Sequence, residues 1–460
     1  MLFTVLAVRA YDAFQSPPLA LWHTVVPHEL DAGRIDAANW QQWLAAEDAA
    51  FAEVRAEVTE PLAAGARVVS NRYFSGSPMN AAHFTTDWNR SYVLLPDGPA
   101  RGAVVLLHGL TDSPYSLRHI AAHYRDRGFI AVGIRMPAHG TVPAALTKVR
   151  WEDWLAATRL AVRHARSLAG SGKPLHLVGY SNGAALALKY SLDSLDDSSL
   201  QRPDQIVLIS PMIGITSVAR FAGVLGWPAV FPPFAKAAWL EIVPEYNPFK
   251  YNSFPVNGAR QSSQLVRAVA KQVAAASAKG KLAKMPPVLT FQSALDATVS
   301  TRAVFDSFYR YLPDGGHEIV LFDRNHGALV GPLVRPALVD ALADVVPAAP
   351  RTYGVTVVTN ALGSVEAQTI LAGSDSLRIL PLAEGYPSEV YSLSHVALPF
   401  PPSDALYGLG PADGDFGLRL GTIAERGERG TLIVNAETLM RASCNPFFGY
   451  LISRIDTRIP

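Results

Sequence analysis

The chain is poor in the features that mark several large protein classes. It has a single cysteine, Cys444, among 460 residues, which excludes an internal disulfide framework and a multi-cysteine metal site and leaves the redox compartment open. It has no excess of one charge: 40 Lys and Arg stand against 39 Asp and Glu, a formal net charge of +1. No broad field of one sign is therefore available to hold nucleic acid or an acidic membrane surface. Long hydrophobic runs are missing as well. The one apolar stretch near the start, Met1–Val8, stops at Arg9, short of the roughly 20 residues that a spanning helix needs. It lacks the basic residues that precede the apolar part of an export signal. It reads either as the remainder of a truncated signal or anchor, which implies an exported or membrane-associated protein, or as a packed N-terminal element of a cytoplasmic one.

What the chain does have is a large apolar fraction. Hydrophobic residues make up 49% and charged residues 17%, which suits a globular protein with a sizeable core and excludes wholesale disorder. The length alone allows about three domains, or one long open-sheet domain with insertions. Residues Asp36 to Ala64 carry Ala, Glu, Trp and Leu at helical spacing and read as part of a helical preface over 1–90. Beyond it, short apolar runs at Ala103–Leu107, Ile130–Ile134, Leu175–Val178, Gln205–Ile209 and Val288–Phe291 predict strands covered on both faces. Helical stretches at Ser116–Arg127, Trp151–Ala169 and Gly183–Leu192 alternate with them. This rhythm predicts an α/β fold, a mostly parallel sheet with helices on both faces. Such sheets bind ligands at the carboxyl ends of their strands.

Two segments break the rhythm. Residues 212–287 are rich in aromatics and prolines, among them Phe221, Trp227, Phe231, Phe234, Trp239, Phe249, Tyr251 and Phe254. They read as a partly helical lid facing a pocket, or equally as a satellite core. The core thus divides into 91–211 and 288–460, and the second part carries a further insertion at about 328–380. There Val355–Val358 is a strand that could extend the sheet.

The strongest chemical signal is LVGYSNG, Leu177–Gly183, in which Gly179, Ser181 and Gly183 form GxSxG between a strand and a helix. A serine on so sharp a turn has strained backbone angles and needs glycine on either side, and its hydroxyl emerges at a helix N-terminus that favours developing negative charge. The other reading is a plain glycine-rich turn. His108, Gly109 and Leu110 close the strand before it. The backbone there can aim the Leu110 N–H at Ser181, with the Asn182 N–H as second donor, to make an oxyanion hole. His108 reads as a brace for this loop rather than a base.

These residues resemble the α/β-hydrolase superfamily, and within it the bacterial monoacylglycerol lipases and carboxylesterases. The resemblance rests on HGLTDSPYS (His108–Ser116), RMPAHGT (Arg135–Thr141), WEDWLAA (Trp151–Ala157) and LVGYSNGAALAL (Leu177–Leu188). It is close over Ala103–Pro211, looser over Pro287–Val320, and does not cover the preface or the late insertion. It implies an acid after the next-to-last core strand and a histidine after the last. Asp296 occupies the acid's position; its other reading is a helix cap, and Asp323 is the reserve. Two histidines compete. His326 lies 30 positions after Asp296, which suits an uninterrupted ending of the fold. His395, in VYSLSHVALPF (Val390–Phe400), has the context of the family's histidine loop, read as a strand running into a loop, with Arg441–Arg454 as the closing helix. We rank His395 first and keep His326 as the alternative base. His119, His139 and His317 read as structural.

The resemblance implies ester cleavage through Ser181, a histidine and Asp296 by way of an acyl-enzyme, with no cofactor and no metal. The expected substrate is an apolar carboxylic ester such as a monoacylglycerol or lysolipid; oligomeric state stays open. An aminopeptidase of the same fold is the rival, with Glu241 and Glu245 as the nearest pair for a substrate amine. A binding protein on a hydrolase scaffold is the third reading.

Overall fold

Strands covered on both faces need apolar side chains in both phases of the two-residue repeat. The computed structural model, which describes residues 11, 15–214, 232–296, 298–327, 342, 345–372, 377–388, 390–409 and 444–460, puts the apolar runs into the strands of one sheet. These are β1 (Tyr92–Leu94), β2 (Gly102–Leu107), β3 (Phe129–Ile134), β4 (Leu175–Tyr180), β5 (Gln205–Ile209), β6 (Val288–Ser293), β7 (Glu318–Phe322), β8 (Gly354–Asn360), β9 (Glu366–Ala372) and β10 (Leu377–Gly385). Every residue of β2 to β7 is buried. Among the described residues they form one sheet in the order β1-β3-β2-β4-β5-β6-β7-β8-β9-β10. From β3 across to β8 all pairs are parallel. The edges are antiparallel: β1 on one side, the β9–β10 ladder on the other.

Alternate residues of each strand feed two cores. Ala103, Val105 and Leu107 of β2 pack with α1 (Ala32–Ala37), α2 (Trp40–Val54), α4 (Trp151–Ala169), α5 (Asn182–Asp193), α6 (Val256–Ala278) and α7 (Thr301–Ser307). Val104 and Leu106 face α3 (Arg118–Asp126) and α8 (Phe448–Asp456) instead. The expected mostly parallel sheet with helices on both faces is therefore the observed one. The VTVV strand extends it as β8, in register with β7. The closing helix is α8; residues 441–443 of its expected range lie outside the described residues, as do 328–341 of the late insertion, 215–231 of the aromatic segment and Met1–Val8. Among the described residues no helix is long and apolar enough to cross a membrane.

Three expectations need correction or refinement. Val390–Phe400 is not a strand running into a loop: after a single bridge residue at Val390, bends and irregular backbone lead into turns from His395. Its backbone groups go to turns and distant loops rather than to a ladder: the Tyr391 carbonyl accepts from Asn325 N–H at 2.8 Å, and the Ala397 and Phe400 N–H groups close turns onto Ser394 and Ala397. The preface is helical only as far as Thr59, after which turns and short 3-10 segments run to Ser91. The aromatic segment contains the 23-residue helix α6, whose Leu265, Val269 and Val273 belong to the main core. Trp239 and Phe249 are buried in satellite clusters, so the satellite-core reading holds for them.

The preface is tied to the sheet by charge. Arg135, 1% exposed at the end of β3, donates to Glu29 at 2.7 and 3.0 Å and to Glu47 of α2 at 2.9 Å. Its Nη1 also meets the His139 carbonyl at 3.0 Å. Breaking a buried pair leaves uncompensated charge behind, at a cost of about 3–5 kcal/mol. Arg135→Met is expected to lower unfolding free energy by that amount in urea titrations, and adding Glu47→Gln to recover part of the loss.

Candidate active site

The strand β4 turns into α5 at Ser181, whose backbone sits at φ +53° and ψ −115°. Few non-glycine residues adopt such angles, and they persist only where neighbours enforce them. Here the Ser181 N–H donates to the Ile209 carbonyl at 2.9 Å, and its own carbonyl accepts from Ala184 and Met212 N–H, each at 3.1 Å. The glycines are required by space. A Cβ on Gly183 would lie 1.9 Å from the Leu107 carbonyl oxygen, and one on Gly179 would lie 2.5 Å from the Ala184 Cα.

The structure brings Ser181, His395 and Asp296 into one hydrogen-bonded row. His395 Nδ1 lies 2.8 Å from Asp296 Oδ2, and His395 Nε2 lies 3.0 Å from Ser181 Oγ. A carboxylate only accepts, so Nδ1 carries the proton and donates; Nε2 of the neutral ring then accepts from the serine hydroxyl. Asp296 is anchored by further donors: Thr298 and Val299 N–H at 2.8 and 2.9 Å on Oδ1, and Gln292 Nε2 at 3.0 Å on Oδ2. Helix α7 is capped not by Asp296 but by Ser300, whose side chain accepts from Ala303 N–H. His326 and Asp323 are not part of this row. They bond to each other at 3.0 Å, and Asp323 also accepts from Thr359 of β8.

His108 does brace its loop. Met136 N–H donates to its Nε2 at 3.0 Å, so the proton is on Nδ1, which reaches the Gly109 carbonyl at 2.9 Å. Burial holds its pKa well below the ordinary value and keeps the ring neutral. Among the described residues neither the Leu110 nor the Asn182 N–H has a hydrogen-bond partner. Asn182 is the first residue of α5, where such groups are free by construction. Of the other histidines, His119 reaches Asp404, His139 the Pro137 carbonyl, and His317 the Val288 N–H.

Ser181 and His395 open into a cavity of about 420 Å3. Leu110, Met212, Tyr251 and Phe254 give it apolar walls, and Asp112, Glu241 and Lys250 bring charge. Among the described aromatics of 212–287, Tyr251 and Phe254 reach it. Glu245 does not. It is 1% exposed, and its carboxylate accepts from Asn252 and Ser253 N–H at 2.9 and 2.8 Å.

Two supporting residues escaped the sequence reading. Asp404, buried, accepts from the Tyr115 hydroxyl, Arg118, and the Leu406 and Tyr407 N–H groups, anchoring the stretch after His395 to the start of α3. The PPSDA run marks a turn, but nothing local reveals a partner 286 positions away. Ser262 of α6 donates to Asn182 Oδ1 at 2.7 Å, a contact equally invisible along the chain. Among the described residues no group of three or more His, Cys, Asp or Glu is arranged to hold a metal ion.

A mostly parallel sheet with a strained serine between β4 and the following helix is the α/β-hydrolase fold. Residues 98–325 match the family described as Hydrolase_4, serine aminopeptidase, S33. No curated protein matches the chain. Similar solved structures include a lipolytic enzyme from the metagenome-derived pair LipS and LipT, at 20% identity and TM-score 0.40 over 51% of this chain and 87% of that one. A monoacylglycerol lipase of Paleococcus ferrophilus shares 17% identity at TM-score 0.38 over 51% and 88%. A soluble variant of the monoglyceride lipase of Saccharomyces cerevisiae, in complex with a substrate analog, shares 15% at TM-score 0.40 over 51% and 82%.

Asp112 yields a pH-dependent prediction. Burial pushes its carboxyl up to about 6, against the pull of Ser116, Lys250 and the Ser113 and Gly109 N–H groups. An acid raised above its unfolded value of about 3.9 favours folding in its protonated form, so this contribution is complete below pH 4 and lost as pH rises through 6. Asp112→Asn, an isostere without the charge, should exceed the parent in stability near pH 8 by up to about 3 kcal/mol and match it near pH 4. Urea titrations at both pH values check this; equal destabilisation at both would mean that the bonds to Gly109 and Ser116 outweigh desolvation.

Proposed function

We propose that the chain is a serine hydrolase of carboxylic esters. The observation that carries this reading is the continuous row Asp296–His395–Ser181, ending on a strained serine that faces a 420 Å3 cavity. In this mechanism His395 takes the Ser181 proton as the oxygen attacks the ester carbonyl, and Asp296 stabilises the imidazolium. The Leu110 and Asn182 N–H groups hold the oxyanion. His395 returns the proton to the leaving alcohol, and water then repeats the sequence on the acyl-enzyme to release the acid. Segment 212–287 supplies part of the cavity wall, and the mixture of apolar and charged walls suits an acyl chain on one side and a polar alcohol on the other.

Aminopeptidase action is the second reading, favoured by the description of the matched family and by Glu241 at the cavity. Two observations weigh against it. Glu245 is occupied by backbone donors, and Lys250 lines the same cavity as Glu241, opposing capture of an ammonium group.

A fluorophosphonate probe is expected to label Ser181 in the folded protein, and p-nitrophenyl butyrate to be cleaved in preference to an aminoacyl anilide. Failure to label overturns the enzyme reading, and anilide-only turnover moves it to the peptidase. His395→Ala should lower kcat on the order of 10^4-fold, while His326→Ala should retain most activity; the reverse pattern in steady-state assays would reassign the base.

A further inference from the structure

A second recess of about 420 Å3 lies between residues 51–90 and the Gly140–Thr141 turn. Apart from that turn, its lining comes from the preface, ahead of the stretch 98–325 that matches the hydrolase family. Arg72 stands in its wall, only 6% exposed. The guanidinium donates to three neutral oxygens: Asn247 O at 3.1 Å, Asn89 Oδ1 at 3.2 Å and Gly140 O at 3.2 Å. Among the described residues it forms no ion pair. The buried acid that feels its charge, Glu245, spends its carboxylate on the Asn252 and Ser253 N–H groups. This contrasts with Arg135, Arg118 and Arg454, each in direct contact with a carboxylate.

A desolvated guanidinium with no carboxylate in direct contact is costly, and its fork matches planar or tetrahedral oxyanions. Two further arginines share the recess. Arg55 is exposed at the π-helical turn Arg55–Thr59 that follows α2, a distortion frequent at functional sites. Arg90 is paired with Asp48 and Asp87, at 2.5 and 3.4 Å. Asp87 is the one acid among the lining residues. Phe51, Val54 and Phe84 supply apolar wall.

We infer that this recess binds a small organic anion, a carboxylate or phosphate monoester head against Arg72 and Arg55 with an apolar body against Phe51 and Phe84. The site is separate from the Ser181 cavity but shares a partition with it: Thr141 of the recess meets the Tyr251 hydroxyl at 3.3 Å, and Tyr251 walls the cavity. The inference stands whether or not Ser181 is a nucleophile.

Calorimetric titration of the full chain carrying Ser181→Ala, with hexanoate, hexyl phosphate and hexanol, tests it. One anion or both should bind at a single site, and which of the two binds identifies the head group; hexanol should not bind there. Arg55→Ala, at an exposed position, should weaken binding about tenfold, the loss of one charge-assisted contact, and Arg72→Gln at least as much. Binding of neither anion overturns the inference. Anion binding unmoved by Arg55→Ala also overturns it, since that result puts the ligand in the Ser181 cavity.

Discussion

The end of β2 and the first turn of α5 approach so closely that no side chain fits between them. A methyl group at Gly183 would fall 1.9 Å from the Leu107 carbonyl oxygen, and the neighbouring Ser181 is held at φ +53° as the chain swings round this contact. Strain of this kind costs on the order of 1–3 kcal/mol, and the surrounding sheet, buried on both faces, supplies the rigidity to hold it. The consequence reaches the site directly. Because Leu107 touches Gly183, the residues that follow it, His108 to Leu110, lie alongside the helix N-terminus. The Leu110 and Asn182 N–H groups, without partners among the described residues, therefore come from the two segments that meet at this contact.

What was legible along the chain is what this contact makes local. The strand, the turn and the helix around Ser181 occupy consecutive residues, so glycine spacing and apolar runs reveal them together. The β2 loop was readable for the same reason: His108 and Gly109 end a buried strand, and a buried imidazole there must find backbone partners. Asp296 came from the resemblance, as the acid after the next-to-last core strand; its surroundings are local, three residues beyond β6 with Thr298 and Val299 N–H folding back on it.

The histidine was harder because its place depends on pairing between distant segments. His326 follows β7 as an uninterrupted fold would have it. The chain does not end there, however: β8 adds in parallel to β7, and the β9–β10 ladder follows. Asn360, the last residue of β8, accepts from the His326 N–H, and Thr359 bonds to Asp323. The added strands thus claim both reserve residues for their own junction. His395 is brought back across 214 positions to Ser181 by anchors on either side of its loop, Asn325 before it and the Asp404 cluster after it. Periodicity carries no trace of such anchors. The strand expected at Val390–Phe400 fails for a related reason: its apolar residues are buried by loop packing, not by a ladder.

The preface shows how charge burial divides its roles. Arg135 joins two carboxylates of the preface to the end of β3 and so fixes the turn from Met136 to Thr141. That turn in turn fixes Tyr251, whose hydroxyl donates to the Ala138 carbonyl at 3.1 Å while its N–H reaches the Thr111 carbonyl at 2.7 Å. Tyr251 is therefore held at both ends, once by the loop after β2 and once by a turn that the preface stabilises. A wall pinned in this way cannot shift without breaking one of two buried contacts, each unfavourable to lose without replacement. The shape of the Ser181 cavity thus depends on residues before the family-matched stretch, and the preface is structurally part of the hydrolase unit rather than an appendage to it.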